Sequence, residues 1–225
     1  MQKLQQHKNK DKLVKHTLAE GLRESILNGK IPAGTRIVEG CWARKYGVAQ
    51  ASVREVIHLV LEEGLAVKSA GWSARVVNPS DEDLRHMYEL RRAVESLAAR
   101  LAAAQRAGVT NLENAFRKMQ AATARRSVKE MIARDLEFHM ELCRVSNNPY
   151  LIEAGRRLLL PTFALGRIRM ITSGKATTTW SGDLDAHQYI INSIRAGEEE
   201  MVDLYTKRSM ANFAARRISV LGSHS

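Results

Sequence analysis

The stretch RDLEFHMELC, residues 134–143, places a carboxylate and an imidazole four residues apart. In a helix, Asp135 and His139 lie one above the other, on the side that also carries Ile132, Leu136 and Cys143. An acid and a histidine on such a face have two uses. They can satisfy each other as a hydrogen-bonded core pair, or converge on one cation as half of a metal site. The pair alone does not choose between them.

Other residue types add possibilities. Arg91 falls on an inward stripe with Leu84, Tyr88, Val94 and Ala98, and an inward arginine invites a bidentate carboxylate. It could clamp a small acid, or pair within the chain with Glu95 or Asp135. Arg167 and Arg169 stand on a long helical stretch with the same uses open, or simple solvation. The two cysteines, Cys41 and Cys143, form no CxxC and no zinc spacing with histidine. They suit a reducing cytoplasm as small buried hydrophobes. Asp135 and His139 could also activate a metal-bound water, so a metal-dependent enzyme is an alternative reading. Against it, the chain has no G-x-S-x-G, no H-E-x-x-H and no P-loop, since SGKATT lacks the upstream glycine.

The charge balance points to polyanions. The chain of 225 residues carries 35 Lys and Arg against 24 Asp and Glu, for a net +11 and a pI near 9.9. Such an excess favours nucleic acid or an anionic surface. No run approaches the roughly 20 apolar residues that span a bilayer. The opening MQKLQQHKNKDKLVKH lacks the apolar core of a signal peptide. The expectation is a cytoplasmic protein with no membrane partner, residues 1–11 being a flexible, solvated lead-in.

The elements that must position these groups fall into two halves. Residues 12–29 follow a helical pattern of apolar positions closed by Asn28-Gly29. Pro32 and Gly34 mark a turn before an extended piece at 36–39. A short helix at 41–46, a break at Gly47-Val48 and a longer helix at 50–63 follow, the last closed by Gly64. Residues 65–68 and 74–77 read as a hairpin. Past Asn78-Pro79-Ser80 the pattern is helical to the end: 81–107, 110–125, 127–146, 149–172, 182–196 and 198–220. The fold class is therefore mainly α, with a winged helix-turn-helix at 1–78 followed by an all-α helical bundle at 79–225.

Short helix, glycine break, longer helix and hairpin is the order in which a second helix enters the major groove of DNA. Val53, Val56, Ile57, Val60 and Leu61 anchor that helix, leaving Gln50, Ala51, Ser52 and Arg54 on its leading turns. Glutamine can pair with adenine; arginine can reach guanine or phosphate. Arg54 could equally pair with Glu55 or Glu62. Lys68, Gly71 and Trp72 belong to the wing, where Trp72 could instead pack beneath the hairpin.

The run LRESILNGKIPAGTRIVEGCWARKYGVAQASVREVIHLVLEEGLAV resembles the DNA-binding domain of the GntR family of bacterial transcription regulators. The likeness rests on Ile31-Pro32-Ala33-Gly34-Thr35, Glu39, Gly47-Val48, Val53-Arg54-Glu55 and Glu63-Gly64-Leu65, in register over about 55 residues. The family commonly reads Ser-Arg-Thr-Pro where this chain has Ala49-Gln50-Ala51-Ser52, which implies an altered operator or weaker binding. DLRHMYELRRAVESLAARLAA, DLEFHMELCRVSNNPYL and HQYIINSIRAGEEE resemble the ligand-sensing FCD domain of the FadR-like branch.

That resemblance implies a regulator, as a rule a repressor. It implies a homodimer on double-stranded operator DNA and a small organic-acid effector. It further implies a divalent metal held by one aspartate and three histidines. By motif the ligands fall on Asp135, His139 and His187. The fourth position falls on Ser209, with Asn212 one turn on as another oxygen donor. Three ligands can still hold Zn, Ni or Mn, an effector or water completing the shell. Arg91, Arg167, Ser209 and Asn212 are then the candidate effector contacts. A non-specific architectural DNA binder is the remaining alternative.

Overall fold

The computed structural model describes the backbone of residues 2–68, 74–173 and 181–221, and the side chains of 14–68, 74–166 and 184–212. The chain divides into two compact units, Met1–Asn78 and Pro79–Ser225.

In the first unit the order is α1 (Gln2–Leu27), β1 (Arg36–Ile37), α2 (Glu39–Tyr46), α3 (Gln50–Glu62), β2 (Ala66–Lys68) and β3 (Ala74–Val76). Leu18, Leu22 and Ile26 recur every fourth residue on α1 and are fully buried. They form the face that meets α3, whose own stripe is Val53, Val56, Ile57 and Val60. Arg23 Nε donates to Glu63 Oε2 at 2.9 Å, tying α1 to the end of α3. Gly47 adopts φ +62° between α2 and α3, a left-handed turn that glycine takes without a Cβ penalty. Gly21 matters for space rather than for backbone angle. A Cβ there would stand 2.1 Å from Tyr46 Oη, so its absence lets Tyr46 lie against α1.

Three differences from the sequence reading have local causes. The backbone of α1 is already helical at Gln2, because Gln, Lys and Leu are good helix formers even without an apolar stripe. The piece at 36–39 is strand only to Ile37, and α2 starts at Glu39 rather than 41. An acid is favoured in a first helical turn, and Glu39 occupies that place. Finally, β1 pairs with β3, giving an antiparallel sheet of order β1-β3-β2 with Ile37 opposite Ala74 and Ala66 opposite Val76. Those four side chains are buried.

The second unit is a bundle: α4 (Asp81–Ala104), α5 (Thr110–Ala124), α6 (Val128–Val145), α7 (Pro149–Ser173), α8 (Ser181–Ala196) and α9 (Glu199–Leu221). α4 opens with a capping box, Ser80 accepting from the Asp83 N–H while Asp83 reaches back to the Ser80 N–H. It packs along α9 and also meets α6, α7 and α8. The small residues Ala98, Ala99, Ala102 and Ala103 admit that close company. α4 ends at Ala104, not 107, because Arg106 itself turns left-handed (φ +47°) and the Ala107 N–H bonds back to Ala102 O. The last turn is thereby closed before Gly108 is reached. Between α6 and α7, Asn148 Oδ1 accepts from the N–H groups of Tyr150 and Leu151, starting α7 behind Pro149.

Candidate functional site

Asp135 and His139 sit one turn apart on α6 and are buried, and α8 brings buried His187 to the same point. His139 Nε2 lies 3.2 Å from Asp135 Oδ1, and His187 Nε2 lies 3.0 Å from the same oxygen. The candidate ligand atoms of the three lie within 4.8 Å of one another. Ligand atoms held about 2.0–2.2 Å from one cation lie at most about 4.4 Å apart, so these side chains stand within a few tenths of an ångström of seating one.

A second layer stands behind His139. On α4, Arg91 Nε donates to Glu95 Oε1 at 2.7 Å, with both side chains almost wholly buried. Glu95 turns its other oxygen, Oε2, to His139 Nδ1. The approach is close but off the ideal hydrogen-bond line, and neither atom has a hydrogen-bond partner among the described residues. A carboxylate on one ring nitrogen fixes which nitrogen faces a metal, so Nε2 is left for the Asp135 side. Arg91 had two candidate partners in the sequence; the structure gives it Glu95. Its guanidinium also lies over Phe163, 4.6 Å from the ring centroid.

Buried charges must balance. With neutral histidines, Arg91, Glu95 and Asp135 sum to one negative charge, so the cluster calls for one more cation. Without a metal a proton can supply it. Burial opposes protonating His139, but the Glu95 and Asp135 carboxylates outweigh burial and push its pKa up to about 9. Burial likewise opposes ionising Asp135, yet hydrogen bonds from His139 and His187 hold its carboxyl well below the usual range.

A cavity opens on this cluster, lined by Arg91, Asp135, His139, His187, Thr206 and Ser209 among others. It offers water-sized groups about 30 Å³ of room, enough for roughly two waters, or an ion with one more atom. Ser209 thus faces the three ligand candidates. Asn212 does not: it is exposed and absent from the lining. The side chain of Arg167 lies outside the described residues. Thr206 is a pocket residue that sequence reasoning missed. Its only signal was a hydroxyl on the stripe Val202, Thr206, Met210, all three buried.

In the first unit, Gln50, Ala51 and Arg54 are exposed at the start of α3, Ser52 is half-buried and Lys68 is exposed on β2. Gly71 and Trp72 lie outside the described residues. The partner of Arg54 is neither Glu55 nor Glu62. Its Nε and Nη2 make a two-pronged pair with Glu39 of α2, at 3.1 and 2.9 Å. Glu55 instead meets Lys15 at 2.5 Å. Sequence spacing favoured partners on the same helix, whereas the helix-turn-helix folds the first turn of α2 against α3.

A helix-turn-helix with a β-sheet wing, followed by a helical bundle around a buried polar cavity, is the construction of a one-component transcription regulator. The FCD domain model matches residues 86–212, and the chain belongs to this family, in the FadR-like branch of GntR-type regulators. It is 23% identical over 185 residues to the gluconate operon transcriptional repressor of Bacillus licheniformis, spanning 80% of this chain and 75% of the relative. A relative from Paenarthrobacter nicotinovorans, named for repression of a D-xylose utilization operon, is 22% identical over 197 residues, 85% of each chain. Among solved structures, a GntR transcriptional regulator from Rhodococcus sp. RHA1 superposes with TM-score 0.74 at 20% identity, covering 94% of this chain and 99% of that one. E. coli McbR/YncC superposes with TM-score 0.71 at 16% identity, covering 92% and 96%. These likenesses establish the fold of both units and a regulatory, not enzymatic, family.

Proposed function

We propose that the protein is a repressor whose hold on operator DNA is set by a small organic acid bound with a divalent cation in the helical bundle. Asp135, His139 and His187 hold the cation, drawn from Zn, Ni or Mn; Arg91 and Ser209 face the acid. A homodimer in the cytoplasm presents two copies of α3 to a two-fold operator, with Gln50, Ala51, Ser52 and Arg54 toward the groove and Lys68 on the wing. Any acid that binds one state of the regulator better than the other shifts operator affinity by that difference.

The observation that carries this reading is the convergence of three buried ligand atoms within 4.8 Å, with His139 held from behind by Glu95. A bound cation would supply the positive charge the cluster requires and a Lewis-acid anchor for a carboxylate. Arg91 meanwhile orients Glu95, and Glu95 orients His139.

The test is selection of operator DNA by purified protein, repeated with chelator and with a panel of acids that includes gluconate, alongside elemental analysis. The reading requires one preferred two-fold site and about one metal per chain. It also requires loss of metal and of acid response in His139→Ala and His187→Ala. Unchanged metal content and acid affinity in both variants would reduce the cluster to a core hydrogen-bond network.

A further inference from the structure

Buried threonines in helices normally have an easy partner: the hydroxyl donates to the carbonyl four residues back. Among the described residues of this bundle, buried Thr162 does so to Leu158 O at 2.6 Å, as does half-buried Thr123 to Met119 O at 3.0 Å. Thr206 does not. Its side chain is wholly buried, its Oγ1 has no hydrogen-bond partner among the described residues, and it lines the cavity beside Asp135, His139 and His187. A buried hydroxyl left unpaired destabilises the fold. A threonine that forgoes its helical acceptor at the wall of a polar cavity is placed to use a ligand instead.

Charge says what kind of ligand. With a divalent cation on the three ligands, Arg91, Glu95, Asp135 and the cation together leave one positive charge in a buried space. A monoanion neutralises it. The enclosed room beyond an ion is about one more water-sized group, so the pocket encloses one carboxylate oxygen beside the ion while the rest of the acid lies toward its mouth, which favours a short acid. Ser209 lies on the same wall three residues along α9, offering a second hydroxyl.

We propose that Thr206 is the selecting contact for the effector. Its Oγ1 donates to an oxygen of a monocarboxylate of two or three carbons, which is held by the cation and faced by Arg91 and Ser209. The inference rests on the metal-and-acid reading above. It adds a residue and a size and charge class which that reading does not contain.

The experiment uses zinc-loaded full-length protein, titrated calorimetrically with lactate and acetate, and with gluconate as the bulky comparison. Thr206→Val keeps the shape and removes the hydroxyl; Thr206→Ser keeps the hydroxyl. The wild-type protein should bind lactate or acetate more tightly than gluconate. Thr206→Val should bind the small acid roughly 10- to 100-fold more weakly, the worth of a hydrogen bond to a charged group. Thr206→Ser should stay within about threefold of wild type, and zinc stoichiometry should be the same in all three. Without ligand, Thr206→Val should melt no lower than wild type, since it removes an unpaired polar group.

Equal small-acid affinity in wild type and Thr206→Val overturns the inference and leaves the metal-and-acid reading standing. So does a lower melting temperature of Thr206→Val without ligand, which would show that the hydroxyl already has a partner. Tighter binding of gluconate than of the small acids overturns the size class. If wild type binds zinc but none of the acids, the metal-and-acid reading itself falls, and the inference with it.

Discussion

Glu95 is the side chain whose neutralisation separates a buried charge network from a set of incidental contacts. Glu95→Gln preserves volume and one oxygen, so Arg91 Nε can keep an acceptor where it now has Oε1 at 2.7 Å. It loses the charge that balances a guanidinium only 2% exposed. Removing one partner of a buried ion pair costs about 3–5 kcal/mol, because the other charge stays buried without compensation. Behind His139, losing the carboxylate that fixes ring and tautomer should weaken metal binding about 10- to 100-fold.

The pH profile of chelator-treated protein gives a second handle on the same group. In the folded chain the pKa of His139 is raised from 6.5 to about 9, after burial has opposed the Glu95 and Asp135 charges. The protonated form is thus favoured by folding. That contribution is complete below about pH 6.5 and fades as pH climbs through about 9. Urea denaturation at pH 6, 7.5 and 9 should show wild type losing stability over this interval and Glu95→Gln losing much less. Zinc competition against a chromophoric chelator reads the metal. If Glu95→Gln matches wild type within about 0.5 kcal/mol at pH 6 and binds zinc equally well, the buried network described above is refuted.

Ser209→His should tighten zinc binding at least tenfold, because a third imidazole would supply a fourth ligand beside the other three groups; competition titration checks it, and unchanged affinity would mean that the Ser209 position does not reach the ion. Gln50→Arg and Gln50→Ala should alter base preference at one operator position, read from binding to a randomised library, with about 1–3 kcal/mol at stake per base pair. Identical preferences would remove Gln50 from base reading. Burial pushes the Cys143 thiol up to about 12, and Cys41 is exposed. A thiol reagent at pH 8 should therefore titrate one group in the native protein and two in denaturant.

Much of the bundle was legible because its helices announce themselves by apolar stripes and by breaks at Asn147-Asn148-Pro149 and Gly197. The end of α4 was not, since a left-handed arginine leaves no compositional mark. Asp135 and His139 could be paired from their spacing alone; His187 came from resemblance, because 52 residues separate it from Asp135. Glu95 was visible as a helical neighbour of Arg91, but its grip on His139 depends on how α4 crosses α6. On α9 the failure has a simple geometry. Steps of three residues drift about 60° backwards around a helix, so Thr206 is buried, Ser209 half-buried and Asn212 exposed. Extending the candidate wall toward Asn212 went the wrong way along that drift.

α4 carries a mechanical consequence. It begins at Asp81, two residues past Pro79, and runs unbroken through Arg91 and Glu95. Ten residues of helix separate Asp81 from Arg91, about 15 Å of axis, with the first turn stiffened by the Ser80–Asp83 cap and no glycine or proline between. A change in charge at Glu95 therefore acts on a rod whose far end is the first helical residue after the inter-unit link. In the effector-controlled regulator proposed above, that rod would be the lever arm for a signal, built from the same helix that lines the pocket.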